Sequence, residues 1–103
     1  MKTLVVLFNL KSGCSREEYE HWASSVDIPT VERLESCSGF EVFRTAGTLD
    51  GGEAPYAYVE IIRINDFAAF EAAIAADEMQ KVAAQFQAFA DRPVFMLSES
   101  LLS

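Results

Sequence analysis

The chain holds one histidine, two cysteines, three prolines, five glycines and only eight Lys and Arg against sixteen Asp and Glu. Each scarcity closes off a class of function. A lone histidine and two widely separated cysteines leave no cluster with zinc or iron spacing, and a haem would find His21 as its sole imidazole. The glycines make neither a P-loop nor a G-x-G-x-x-G fingerprint, and Gly51-Gly52 falls between strands, so a nucleotide has no cradle. We therefore expect no metal and no cofactor. A formal charge of −8 with no basic cluster leaves nothing to neutralise phosphates, which argues against nucleic acid and anionic membrane as partners. The longest uncharged apolar run, Leu4 to Phe8, is far short of the roughly 18 residues that span a bilayer.

Cys14 and Cys37 can close one bridge at most, and with no other mark of a disulfide framework the expectation is two reduced thiols. The start MKTLVVLFNLKSGC has the outline of a lipoprotein signal, but its apolar stretch is short, Asn9 interrupts it, and Lys11 stands where a small or branched apolar residue should precede the cleavage site. The expectation is a cytoplasmic protein. Its 103 residues suit one domain over positions 1–103, built on one core.

What is present is a regular alternation of elements. The turn-rich run Leu49 to Pro55 divides the chain into halves of the same order. The first half reads as a strand (Thr3 to Leu10), a helix (Ser15 to Val26), a short helix opened by Pro29 (to Glu35) and a strand (Gly39 to Thr48). The second reads as a strand (Tyr56 to Ile64), helices over Asp66 to Ala76 and Asp77 to Ala90, and a strand (Pro93 to Leu101). Ser15 with Glu18 makes a capping box, Asp66 precedes Phe67 and Phe70, and Asp77 is followed by Gln80. Met79, Val82, Ala83, Phe86, Phe89 and Ala90 recur at spacings of three and four and form a core stripe.

The strands are apolar on both faces: Val6, Phe8 and Leu10 oppose Val5 and Leu7, and Phe95, Leu97 and Leu101 oppose Val94 and Met96. Helices can cover one face of a four-stranded antiparallel sheet, and a second copy is the economical cover for the other. The order βαβ-βαβ is ferredoxin-like, so the expected fold is α+β, a four-stranded antiparallel sheet in a dimeric α+β barrel, a homodimer.

The stretch Tyr19-Glu20-His21-Trp22-Ala23-Ser24-Ser25-Val26-Asp27-Ile28-Pro29-Thr30-Val31, with Gly39-Phe40-Glu41-Val42-Phe43-Arg44, resembles the RedY-like family of prodigiosin-type pigment pathways, and the resemblance runs over essentially the whole chain. The chain is also similar to EthD-type dimeric α+β barrels, whose first helix carries an aromatic pair and then a His two residues before a Pro. Here that position is Asp27, and His21 stands beside Trp22, so a role for such a His does not carry over. The resemblance implies a dimeric fold and a setting in secondary metabolism, where related proteins are linked to cyclisation or coupling of pyrrole- or indole-type intermediates without a redox cofactor.

Candidate site residues follow from the pattern. On the first helix Tyr19, Trp22, Ala23 and Val26 form the inward stripe, Ser25 borders it, and His21 lies one turn from Ser25, either at the rim or as a general acid or base. Asp27 is placed to cap the short helix, and its carboxylate also suits a base or cation stabiliser for a pyrrole or indole nitrogen, two readings that do not exclude each other. Asn9, Arg44, Glu60 and Glu99 are polar among apolar strand neighbours, and Arg44 pairs with Glu60 or Glu99 or else anchors a ligand in the cavity. Phe8, Trp22, Phe43 and Tyr58 are expected to wall a pocket for a flat heteroaromatic ligand. Two readings remain open: a cofactor-free enzyme that cyclises or couples by proton transfer, and a carrier that only shields the intermediate.

Overall fold

A computed structural model describes residues 2–102. Strands β1 (Lys2–Leu10), β2 (Cys37–Arg44), β3 (Tyr58–Ile64) and β4 (Ala90–Glu99) form one antiparallel sheet in the order β2-β3-β1-β4. This is the expected ferredoxin-like α+β order. Helices α1 (Arg16–Trp22) and α2 (Ile28–Glu32) cross from β1 to β2, and α3 (Phe67–Ile74) and α4 (Asp77–Phe89) cross from β3 to β4.

Two of the anticipated caps form. The Ser15 hydroxyl accepts from the Glu18 N–H at 2.9 Å, and the Asp66 carboxylate accepts from the Ala69 N–H at 3.0 Å. The third does not: Ala76 precedes α4 without a side-chain cap, Asp77 lies inside its first turn, and the Gln80 amide instead donates to the Ile74 carbonyl at 2.7 Å.

The first crossover departs most from expectation. No break separates two helices; α1 runs into a π-helical turn, Ala23–Asp27, which runs into α2 with helical backbone throughout. Two local features favour the wider turn. Pro29 offers no N–H to the Ser25 carbonyl four residues back, and its ring would press on that carbonyl in a regular helix. The Ser24 and Ser25 hydroxyls donate to the Glu20 and His21 carbonyls at 2.8 and 2.6 Å, competing with the backbone ladder. The consequence is a shift of face. Tyr19, Ala23, Asp27 and Val31 are buried, a spacing of four that would overshoot by about 40° per step in an ideal α-helix and that the wide turn corrects. Val26, expected inside, is only half-buried.

The other boundaries moved for reasons of pairing. The second strand closes at Arg44, and the third opens at Tyr58, because the intervening loop is tied to Asn9: its amide donates to the Pro55 carbonyl at 3.1 Å and accepts from the Ala57 N–H at 2.8 Å. Gly47 in this loop has φ +136°, and a Cβ there would stand 2.8 Å from the Gly52 carbonyl oxygen. The last strand starts at Ala90 directly off α4, through a bulge in which Arg92 takes φ +45° between the Leu7/Val94 and Asn9/Asp91 pairs.

The helices cover Val6 and Phe8 of β1, Phe40 of β2, and Tyr58, Glu60, Ile62 and Ile64 of β3. They cover Ala90 at the start of β4 but leave its later part largely open, with Phe95 and Leu97 each about half exposed on the helix side. The opposite face carries Val5, Leu7, Phe43, Val59, Ile61, Val94 and Met96, an apolar surface over which no helix lies among the described residues. Among the described residues no helix is long and apolar enough to cross a membrane, and both cysteines are free.

Candidate functional site: two buried carboxyls in an apolar cavity

Register builds the site. Val42, Glu60, Val6 and Phe95 stand in one row across the sheet on the helix-facing side. Glu60, on the inner strand β3, is therefore held under the helices, with only 4% of its surface exposed. From above, the π-helical turn brings Asp27 down on the same space, 5% exposed. Both line a cavity of about 240 Å³ between the sheet and the helices. Its remaining wall is apolar: Leu4, Val6 and Ile62 form the floor, Phe40, Phe70 and Phe86 the sides, and Phe95 stands at the open edge by the largely open part of β4. Gln80 and Gln87 of α4 add the other polar groups, and no Lys, Arg or His lines the cavity among the described residues.

Two carboxyls in such a place cannot both ionise cheaply. Burial pushes the Asp27 carboxyl up to about 7, and it makes no hydrogen bond among the described residues. Burial pushes the Glu60 carboxyl up to about 8, the nearby charge of Asp27 adds to the rise, and a long hydrogen bond from the Tyr19 hydroxyl at 3.4 Å opposes it. Tyr19 is fully enclosed, and burial followed by the Glu60 charge drives its hydroxyl far above the ordinary tyrosine range. The pair consequently holds a proton near neutral pH and can both give and take one.

A second polar cluster lies on the other side of Tyr19. Arg44 does not pair with Glu60 or Glu99 as anticipated; its guanidinium grips Glu20 with two hydrogen bonds of 2.7 and 2.8 Å, and the Tyr58 hydroxyl donates to the same carboxylate at 2.7 Å. Arg44 shares a face with Val42 and points at α1, so its partner is a helix residue, which strand alternation alone does not reveal.

The anticipated site residues thus scatter. Asp27 and Glu60 come together in the cavity; Asp27 makes no capping hydrogen bond, because the helix does not stop there. His21 and Ser25 are exposed on α1 and the following turn, outside the cavity. Asn9 anchors the loop before β3. The expected aromatic wall does not form: Phe8 is fully buried and stacks on Tyr58 with centroids 5.4 Å apart, while Phe43 is on the opposite face. Trp22 packs on Phe89, its indole N–H donating to Gln85 at 2.7 Å. The actual wall, Phe40, Phe70, Phe86 and Phe95, was hidden among residues that read as ordinary core.

A search of known families matches the model described as "REDY-like protein HapK" over residues 2–101. Among curated protein sequences there is no match. Among solved structures, HapK from Hahella chejuensis is 30% identical, with a TM-score of 0.80 over 100% of this chain and 95% of that one. An EthD family protein from Bacillus halodurans is 17% identical, with a TM-score of 0.78 over 98% of this chain and 99% of that one. SnoaB, a cofactor-independent oxygenase from Streptomyces nogalater, is 19% identical, with a TM-score of 0.78 over 97% of this chain and 92% of that one. The last two likenesses concern the fold alone. The family match over nearly every residue and the identity to HapK lead to one conclusion: the chain belongs to the REDY-like HapK family.

Proposed function

We propose that this protein catalyses a proton-transfer step, a cyclisation or coupling, on a flat heteroaromatic intermediate of secondary metabolism, in a prodigiosin-type pathway, with Asp27 and Glu60 as the working acid and base. The observation that carries the reading is the pair of buried carboxyls, at about 7 and about 8, facing an apolar aromatic cavity. Their range matches proton exchange at neutral pH, where an ordinary carboxyl is a poor acid. The cavity, somewhat below the roughly 300 Å³ at which pockets for drug-sized ligands begin, suits one or two rings. Both proton donor and acceptor are side chains of this chain, so the step is written without a cofactor. We further propose that the chain works in the cytoplasm as a homodimer, its uncovered apolar sheet face packed on a second copy; the exposed Phe43, Val94 and Met96 would otherwise meet water.

Asp27→Asn and Glu60→Gln keep shape and remove titration. With purified protein and candidate pyrrole- or indole-type intermediates, each is expected to lower product formation by at least about 100-fold, within the usual yield of a positioned acid or base. Wild-type rates in both variants would take the proton chemistry away from Asp27 and Glu60, and ligand bound by the wild-type chain with no product above the uncatalysed rate would make the protein a carrier. A comparable loss in His21→Ala alone would move the proton chemistry to the surface of α1.

A further inference from the structure

The cavity combines features that ordinarily exclude one another. Two carboxyls nine-tenths or more buried look into it, one of them, Asp27, without a hydrogen-bond partner among the described residues. Among the described residues the groups facing them from the packed elements supply no positive charge: Tyr19 of α1 stands behind Glu60, and α2, α3, α4, β1, β2 and β4 contribute only uncharged side chains. Carboxylates in a protein interior are ordinarily matched by cations or hydrogen-bond donors, and here even the partly exposed Glu20 holds Arg44 and Tyr58. Four phenylalanine rings border the same space, and aromatic faces attract cations. The whole chain carries −8, which draws positively charged solutes toward it.

We infer that the missing countercharge is the ligand's own: the cavity recognises a small flat aromatic cation, its positive nitrogen set against Asp27 and Glu60 and its ring between Phe40, Phe70, Phe86 and Phe95. This rests on the proton-transfer reading of the same cavity and narrows its substrate to intermediates that are protonated or quaternised at nitrogen when bound. Entry of the cation favours the ionised pair and displaces a proton to solvent; the pair then takes a proton from the bound intermediate and returns it as the acid. Binding therefore strengthens as pH rises through the range in which the empty pair holds that proton.

Calorimetry on the full chain tests this with N-methylquinolinium and its uncharged isostere 1-methylnaphthalene. The cation is expected to bind at least about tenfold more tightly at about pH 8, the preference shrinking toward about pH 5 as the pair becomes protonated. Titrations in buffers of different ionisation enthalpy should show proton release on binding the cation and none on binding the neutral probe. Glu60→Gln and Asp27→Asn should each cut the preference severalfold, and Glu53→Gln, on the exposed loop, should not. Equal or tighter binding of 1-methylnaphthalene, a preference that survives in both cavity variants, or binding of neither probe overturns the inference. Wild-type chain across the pH series decides the matter even if a variant fails to fold. Because no turnover is needed, loss of the cation preference leaves the rate effects of the two variants standing as a separate result, and the reverse also holds.

Discussion

Tyr19 and Tyr58 lie side by side, ring centroids 4.8 Å apart, and each donates its hydroxyl to a glutamate: Tyr19 to Glu60 at 3.4 Å, Tyr58 to Glu20 at 2.7 Å. The two glutamates end up at opposite ends of the carboxyl range. Glu60 is pushed up to about 8, chiefly by burial, while Glu20 is drawn down to about 2, chiefly by its hydrogen bonds to Arg44 and then to Tyr58. The residue types are the same, so the tyrosine does not set the outcome. What differs is a guanidinium and access to water: Glu20 has both, and Glu60 has a second carboxyl in their place. The paired cluster is chemically quiet. The unpaired one can move protons.

The largest way to sharpen the contrast is the pH dependence of stability. Asp27 and Glu60 hold their protons more tightly in the folded chain than in the unfolded one, so the native state binds more protons across the window between the ordinary carboxyl range and about pH 8. The stability they contribute is present below that window and is lost as pH rises through about 7 and then about 8. Denaturant unfolding from about pH 5 to about pH 9 should show a decline of several kcal/mol, with the coupling of the two sites blurring any division between them. Glu60→Gln should flatten the decline and be the more stable protein at the alkaline end. A stability profile that rises with pH over this window would contradict the assignment.

A smaller effect comes from giving the cavity the cation it lacks. Phe95 stands in the same cross-sheet row as Glu60, one strand beyond Val6, and is half exposed, so Phe95→Arg can place a guanidinium toward the carboxyls with little disruption. Carbon-detected titration should then find Glu60 lowered by about one to three units, toward the behaviour of Glu20. No movement would mean that burial alone, not the missing partner, governs the site.

The smallest effect is expected at the paired cluster. Arg44 is more than half exposed, and exposed ion pairs contribute little, so Arg44→Ala should leave the denaturant unfolding midpoint nearly unchanged. The same variant should let the Glu20 carboxyl rise toward its ordinary range while Glu60 stays high. A large fall in that midpoint would show the cluster to be a structural clamp rather than a solvated pair.

Legibility differed between these two regions for a physical reason. Glu60 was conspicuous as a charge at a strand position flanked two residues either way by Tyr58 and Ile62, because strand alternation assigns its face from local sequence. Its partner was not, since partnership depends on which helix packs over the strand. Strand alternation offers Arg44 the strand acids Glu60 and Glu99, whereas it reaches Glu20 on α1. Asp27 beside Pro29 reads as a cap, a base or a cation stabiliser, and its burial rests on a π-helical turn that the spacing of apolar residues does not announce. Trp22 lies on the inward stripe and packs on Phe89 away from the cavity, while the place of His21 one turn from Ser25 leaves open whether it meets a pocket or solvent, and it meets solvent.

By itself the sequence determined the alternation of strands and helices, the antiparallel ferredoxin-like order, the caps at Ser15 and Asp66 and the apolar character of both sheet faces, because each follows from local periodicity and short-range hydrogen bonding. Only the tertiary structure decided that Asp27 and Glu60, thirty-odd positions apart in the chain, share one cavity, that four phenylalanines enclose it and that Arg44 is spent on Glu20. Those outcomes depend on strand register and on the rotation a single wide helical turn imposes, and both are set by packing across the core rather than by neighbours in sequence.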